Sequence, residues 1–402
     1  MNGSLEGLQV VECARQIPGP FCAKLLADLG AEVIKVEEPT RGDPCRYAEP
    51  FLDDIPGPAR SGLFLYLNAN KKGITLDLGT NSGAEVFRKL VRGADVIIED
   101  FPPGQMGRWG LAYEALQREN PRAVIVSLTP FGQSGPYRDY QSSDLVAIQL
   151  GGLGYFTPAS LSDLRLPPLR PGGHHADFLS GLTAALVTMG AVHHRERTGI
   201  GSHIDLSQYE AMALGLCRDL ARYSYDDVRP VRGEPTVAGV MGLLRCQDGW
   251  VHLQSRDPRE WPLLLDMMDN PEWANDPRFA DPVSRDEHWD ELWAKIGQWA
   301  LQHTKEEVGR RAQSRHLAAA PVNDPAEVFR SAHLAARGFF VTLDQPDVGQ
   351  VVLPGAPYKF GDSPWALRCP APSLGQHNEE ILCQRLGYSR EDLAKLAAAR
   401  VV

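Results

Sequence analysis

The chain has 402 residues, 43% of them hydrophobic and 23% charged. That balance excludes a fibre, a disordered tail or a disulfide scaffold, and the length exceeds what one core fills comfortably, so two domains are expected. A net charge of −10 without a long basic run excludes nucleic acid as a partner.

Seven scattered cysteines with no CxxC spacing fit reduced thiols in the cytoplasm, not a zinc site, and no metal cluster is expected. Residues 1–8 lack the pattern of a signal peptide. The longest apolar stretch, around 182–192, is too short to cross a bilayer, so no membrane partner is expected.

In chain order, 8–13 reads as a strand and 20–29 as a helix, with Pro20 at its start and Gly30 just past its end. A strand over 31–37 follows, then a strand at 74–78, a helix at 83–91 and a strand at 94–99. A helix over 111–118 and a strand over 123–128 complete the run. This alternation predicts an α/β fold with a parallel sheet covered by helices on both faces. Residues 177–196 read as a helix apolar nearly all round, hence buried in a core or a subunit interface. A linker is expected over 223–240, with Pro230, Gly233, Pro235 and Gly239. Six of the eight tryptophans lie between Trp250 and Trp299; Trp289, Trp293, Ile296 and Ala300 recur at helical spacing and predict a separate helical core over about 235–330. Ser389 through Asp392 opens a last helix with a capping box.

The first strand runs into Ala14-Arg15-Gln16-Ile17-Pro18-Gly19-Pro20 and not into GxGxxG, which argues against a nicotinamide dehydrogenase. There is no Walker loop, HExxH or GxSxG. The motifs that are present run through the chain in order. Pro18-Gly-Pro20 precedes the run from Leu25 to Glu37, then Gly42-Asp43, Asn68-x-Asn-Lys71 and Thr75-Leu-Asp-Leu78. The run from Ala94 to Gly104, Phe131 through Tyr137, Ala176-Asp177-Phe178, His333 through Phe339 and Gly375-x-His377 follow. Together they resemble the family III CoA-transferases, the CaiB/BaiF group, over nearly the whole chain.

The resemblance implies a Rossmann-like large domain built from both chain ends (1–225 and 331–402), a small α+β domain with its linkers over 226–330, and an interlocked homodimer. It implies a catalytic aspartate at Asp177. The carboxylate attacks an acyl-CoA to give an aspartyl–acyl anhydride, CoA thiolate converts this to an aspartyl-CoA thioester, and an acceptor acid reverses the sequence. Each intermediate stays activated, so each step is close to reversible. CoA and acyl-CoA are substrates, with no tightly bound cofactor. By residue type alone Asp177 would be read as a helix N-cap.

Held by a chain of net charge −10, the CoA phosphates need local cations. The resemblance places CoA contacts at Arg15, Ile17, Lys71, Lys72, Leu76, Asp100 and Arg108. Many relatives carry Asn where Asp100 stands and some carry Lys at Thr129. His174 and His175 are candidates to orient substrate or ordinary loop residues, and His193 and His194 read as structural. The segments 155–158 and 166–171 are expected to border the acyl pocket, where Arg170 is a candidate for a second substrate carboxylate. The long stretch before Asp177 disfavours formyl-CoA:oxalate chemistry. Two other readings remain: an acyl-CoA racemase, whose histidine would fall at Ser143, and a CoA-binding protein without turnover.

Overall fold

A computed structural model describes residues 3–158, 165–232, 240–346 and 348–402. Of the expected linker, Gly233, Pro235 and Gly239 lie outside the described residues. The chain divides into two compact units, Met1–Gly233 with Gly338–Val402, and Glu234–Arg337.

In the larger unit, β1 (Gln9–Glu12), β2 (Glu32–Glu37), β3 (Lys71–Thr75), β4 (Val96–Glu99), β5 (Val124–Thr129) and β6 (Ser202–Ser207) form one sheet. Its order is β3-β2-β1-β4-β5-β6, with every pairing parallel. Successive residues of these strands are buried on opposite faces, as period-2 geometry requires. Val10, Val33, Val96, Ile98 and Val126 meet α1 (Pro18–Asp28). Val11, Ile34, Ile74, Ile97 and Ile125 meet α2 (Asn81–Arg92) and α3 (Tyr113–Glu119). Phe87 and Ile97 have no exposed surface, and full burial of such side chains is worth about 1.5–3 kcal/mol each.

Three further helices bear on the site: α4 (Asp144–Leu150), α5 (His175–Thr198) and α6 (Gln208–Leu214). Helix α5 has 24 residues and, by length and composition alone, could cross a membrane. Its Ala184, Ala185 and Val192 nevertheless pack into the same cluster as α1 and the sheet. Leu182 and Leu186, one turn apart, are 53% and 73% exposed.

The chain's C-terminal end closes the open side of β3. Gly73 N–H donates to His377 Nδ1 at 3.0 Å, and Thr75 N–H donates to Asn378 Oδ1 at 2.9 Å. Ile381, Leu382 and Val401 complete the core on the α2 face. The Gly375-x-His377 motif thus serves the sheet edge. A hairpin of β10 (Phe340–Gln345) and β11 (Gly349–Pro354) also belongs to this unit.

In the smaller unit, β7 (Val240–Arg245), β8 (Trp250–Ser255) and β9 (Ala318–Pro321) form an antiparallel sheet. Leu292, Ile296 and Ala300 of α7 (Trp289–Ala300) pack with Val308 and Ala312 of α8 (Lys305–Gln313), and Trp289 and Trp293 flank them. The last helix, α9 (Arg390–Ala398), begins with the reciprocal Ser389–Asp392 cap.

Candidate active site

In an open parallel sheet, ligands settle at the carboxyl ends of the strands where the chain reverses its winding direction. Here that point lies between β1 and β4. Past β1 the chain continues into Cys13, Ala14 and Arg15; past β4 it continues into Asp100 and Phe101. A cleft of about 210 Å³ opens there, with Arg15, Leu76, Phe101 and Trp109 in its wall.

The loop carrying Arg15 is pinned from several sides. Asp43 Oδ1 accepts from Gln16 N–H at 2.9 Å, and Gln16 sits in the left-handed region at φ 60°. Asp43 Oδ2 meets the fully buried Lys35 at 2.8 Å. Burial opposes charge on Asp43, but Lys35 and the Gln16 and Cys45 N–H groups override it and hold the carboxyl below its usual range. Gly42, at φ 70°, turns the chain into Asp43 where a Cβ would meet Glu37 Oε1 at 2.9 Å. The Gly42-Asp43 motif therefore shapes the Arg15 loop.

Arg15 N–H donates to Asp100 Oδ2 at 2.8 Å, and its guanidinium lies 4.9 Å from the centre of the Phe101 ring. Phe101 in turn meets Trp109 edge-on at 4.8 Å. Asp100 Oδ1 is 3.9 Å from Arg15 Nε, beyond hydrogen-bond range. Burial pushes the Asp100 carboxyl up to about 8, against the pull of Arg15. Burial likewise raises its neighbour Glu99 to about 7. At neutral pH Asp100 is largely protonated and can donate a hydrogen bond, as an asparagine there would.

The remaining expected CoA contacts fall differently. Leu76 is buried in the cleft wall, and Ile17 is buried at the start of α1. The Lys71 expectation is corrected. Its ammonium has no exposure and is held by Glu12 Oε2 at 2.6 Å, Pro20 O at 2.9 Å and Asn68 Oδ1 at 3.0 Å. Asn70 of the same motif ties Asp28 to the Ala366–Cys369 backbone. The Asn-x-Asn-Lys motif therefore braces the core. Lys72 is on the surface, but its charge is shared between Glu32 and Glu380, each at 2.7 Å. Arg108 is exposed and bonded to Gln105; it does not line the cleft.

Asp177 is the third residue of α5, and the N-cap position belongs to His174, so the capping reading is also corrected. The first-turn N–H groups are capped from another element. Asp144 Oδ1 accepts from Ala176 N–H at 2.9 Å and from Asp177 N–H at 3.3 Å. This leaves the Asp177 carboxylate available for other partners. Oδ1 accepts from Gln208 Nε2 at 2.7 Å, and Oδ2 lies 3.1 Å from His174 Nδ1. Burial raises the Asp177 pKa above the ordinary carboxylate value, helped by the Asp144 charge and opposed by Gln208 and His174. His174 is thus a direct neighbour of the carboxylate. Arg170 donates to Gly173 O at 2.8 Å and pairs with Asp144 Oδ2 at 3.3 Å.

Asp144, His174 and Asp177 offer ligand atoms within 4.8 Å of one another. Asp144 Oδ1 accepts from the α5 N–H groups, Asp144 Oδ2 pairs with Arg170, and Asp177 Oδ1 accepts from Gln208. Ser143 caps α4, its Oγ accepting from Val146 N–H at 3.4 Å. No imidazole stands at that position, which weakens the racemase reading.

Two features link Asp177 to the cleft. One turn along α5, a Cβ on Gly181 would sit 2.5 Å from Pro18 O. Phe178 meets Phe21 of α1 edge-on at 4.9 Å. The loop from Arg15 to Pro18 thus runs from the cleft to the first turns of α5. Gln208 and Asp144 had no site role assigned from the sequence. Gln208 lies 31 residues beyond Asp177, and nothing local marks it.

Comparison with known proteins identifies the family. The family model for CoA-transferase family III matches residues 5–378. The chain is 33% identical to the β subunit of succinyl-CoA–L-malate CoA-transferase from Chloroflexus aurantiacus, over 99% of this chain and 98% of that one. It is 32% identical to formyl-CoA:oxalate CoA-transferase from Streptomyces avermitilis, over the full length of both. A solved CaiB/BaiF family protein from Brucella suis superposes with a TM-score of 0.84 at 30% identity, covering 96% of this chain and all of that one. The chain is a CoA-transferase and belongs to CoA-transferase family III.

Proposed function

We propose that this enzyme exchanges CoA between an acyl-CoA and a small dicarboxylic acid through an aspartyl-CoA thioester on Asp177. The observation that carries the reading is the Asp177 carboxylate itself. It sits in the first turn of α5, where the helix dipole favours negative charge, and its side chain is 16% exposed. One oxygen is fixed by Gln208 and the other is left toward His174. A desolvated, oriented carboxylate is the form that attacks a thioester carbonyl.

Arg15 stacked on Phe101, with Leu76 beneath, offers a cation and flat apolar surface for the nucleotide end of CoA. Protonated Asp100 adds a hydrogen-bond donor beside them. The Arg15–Pro18 loop then leads the pantetheine arm toward α5. A dicarboxylic acceptor fits Arg170. Among the described residues its Nε and Nη1 have no partner, although Nη2 is engaged. The named substrates of the two relatives, L-malate and oxalate, are of that class.

We further place the enzyme in the cytoplasm as an interlocked homodimer. All seven cysteines are free thiols, and the exposed Leu182–Leu186 stripe on α5 needs a cover. A donor–acceptor screen with purified enzyme tests the function. Exchange between succinyl-CoA and four-carbon dicarboxylates is expected, with loss of at least about 10³-fold in Asp177→Ala. Wild-type exchange by that variant would defeat the proposal.

A further inference from the structure

Gln208 is the first residue of α6, set there by Ser207, whose Oγ caps the helix by accepting from Glu210 N–H at 3.2 Å. Its side chain is buried, with 5% of the residue exposed, and its amide donates to Asp177 Oδ1 at 2.7 Å. Burial of a glutamine amide against a carboxylate is costly unless the bond is kept. The position is therefore specified, and it fixes which carboxylate oxygen is engaged.

We infer that Gln208 is a catalytic residue: its amide N–H holds Asp177 Oδ1 as the carbonyl oxygen of the acyl-enzyme and stabilises the oxyanion that forms on it. The inference rests on the aspartyl-CoA reading. With Oδ1 held, Oδ2 is the oxygen that attacks the donor thioester. A bond forms from Oδ2 to the acyl carbon, the carbon–sulfur bond breaks, and CoA leaves as thiolate. The thiolate then attacks Asp177 Cγ. As the new carbon–sulfur bond forms, the Cγ–Oδ1 π pair moves onto Oδ1, facing the Gln208 N–H. The oxyanion collapses, the Cγ–Oδ2 bond breaks, and the donor acid departs as carboxylate with Oδ2. The acceptor carboxylate then attacks Cγ, raises the same oxyanion on Oδ1 and expels CoA thiolate, leaving an aspartyl–acceptor anhydride. The thiolate attacks the acceptor acyl carbon, the bond from that carbon to the bridging oxygen breaks, and the new acyl-CoA leaves Asp177 as a carboxylate that keeps the acceptor's oxygen. Oδ1 stays with Asp177 while the second oxygen is replaced at each turnover. A donor aimed at an oxygen that becomes negative is worth about 10²–10³ in rate.

The test separates this inference from the reading beneath it. Acceptor acid labelled with ¹⁸O on its carboxylates delivers label into the Asp177 peptide on turnover by the wild type; no label there would defeat the aspartyl-CoA reading itself. Given label, Gln208→Leu keeps an apolar-compatible volume but cannot donate. Its kcat is expected to fall about 10²-fold with KM for acyl-CoA changed only a few-fold. Gln208→Glu distinguishes donation from mere packing. A protonated Glu can donate and an ionised one cannot, so this variant is expected to lose activity as pH rises over a range where wild type keeps it. Should Gln208→Leu retain wild-type kcat, or should Gln208→Glu follow the wild-type pH profile, the oxyanion role is overturned. If Gln208→Leu fails to fold, the Gln208→Glu profile decides.

Discussion

Replacing Asp100 with Asn tests the claim that this carboxyl is held neutral behind Arg15. Its pKa lies near 8 in the folded protein against an ordinary value of 3.8. Between those values the folded state binds more protons than the unfolded state, so Asp100 lowers stability as pH rises. The stabilising neutral form is fully present below about 3.8 and is lost through about 8. The slope is about 1.4 kcal/mol per pH unit, which by pH 7 gives a ceiling of roughly 4 kcal/mol. Water reaching the 14% of the side chain that is exposed lowers that figure, so a gain of about 1–3 kcal/mol at pH 7 is expected for Asp100→Asn. The Asn carbonyl keeps the bond from Arg15 N–H, and its amide replaces an oxygen that accepts no hydrogen bond. Urea unfolding of both proteins from pH 5 to pH 9 measures the difference. It should widen with pH and flatten above about 8. A difference that stays constant across that range, or that narrows, would refute the argument.

Other consequences follow from the same geometry. Lys71→Met removes the cation from Glu12 Oε2 while Lys35 stays on Oε1 at 2.9 Å, and should cost up to about 3 kcal/mol of stability, with KM for acyl-CoA unchanged in the protein that folds; a large selective rise in KM would return Lys71 to the CoA site. Arg15→Ala removes a half-exposed cation and its stacking on Phe101, so isothermal titration should show CoA binding weakened about 10-fold. Asp177 must be ionised to attack and its pKa is raised by burial. The acid limb of kcat/KM should therefore lie above the ordinary carboxylate range, with activity rising through it as pH increases. A limb at or below that range would contradict the buried setting.

Strands β1, β2, β4 and β5 were legible because each carries an apolar run that its buried setting enforces, whereas β3 lies three residues ahead of the strand expected at 74–78 and β6, whose residues alternate in exposure, was not expected. The apolar runs at 94–99 and 123–128 are buried on both faces. Helix ends moved by one or two residues where the caps were unusual. Pro18, not Pro20, opens α1, and α5 starts at His175 because Asp144 caps it from elsewhere. The Asp177 position was legible only through its motif company, since residue type alone suggests a cap. Lys71 misled because the resemblance implied a CoA contact there and nothing local in the sequence marks its burial. Its burial depends on Glu12, 59 residues away. Gln208 could not be read as a partner of Asp177, because side-chain convergence across a β-strand and two helix starts leaves no periodic trace, whereas His174, three residues before Asp177, was visible as a neighbour.

Mass spectrometry of the enzyme mixed with acyl-CoA alone, without acceptor, measures the covalent step most directly. A CoA thioester on the peptide containing Asp177, dischargeable by hydroxylamine and missing in Asp177→Asn, is the expected result. Full exchange activity with no adduct on that peptide, or with the adduct on another residue, would contradict it.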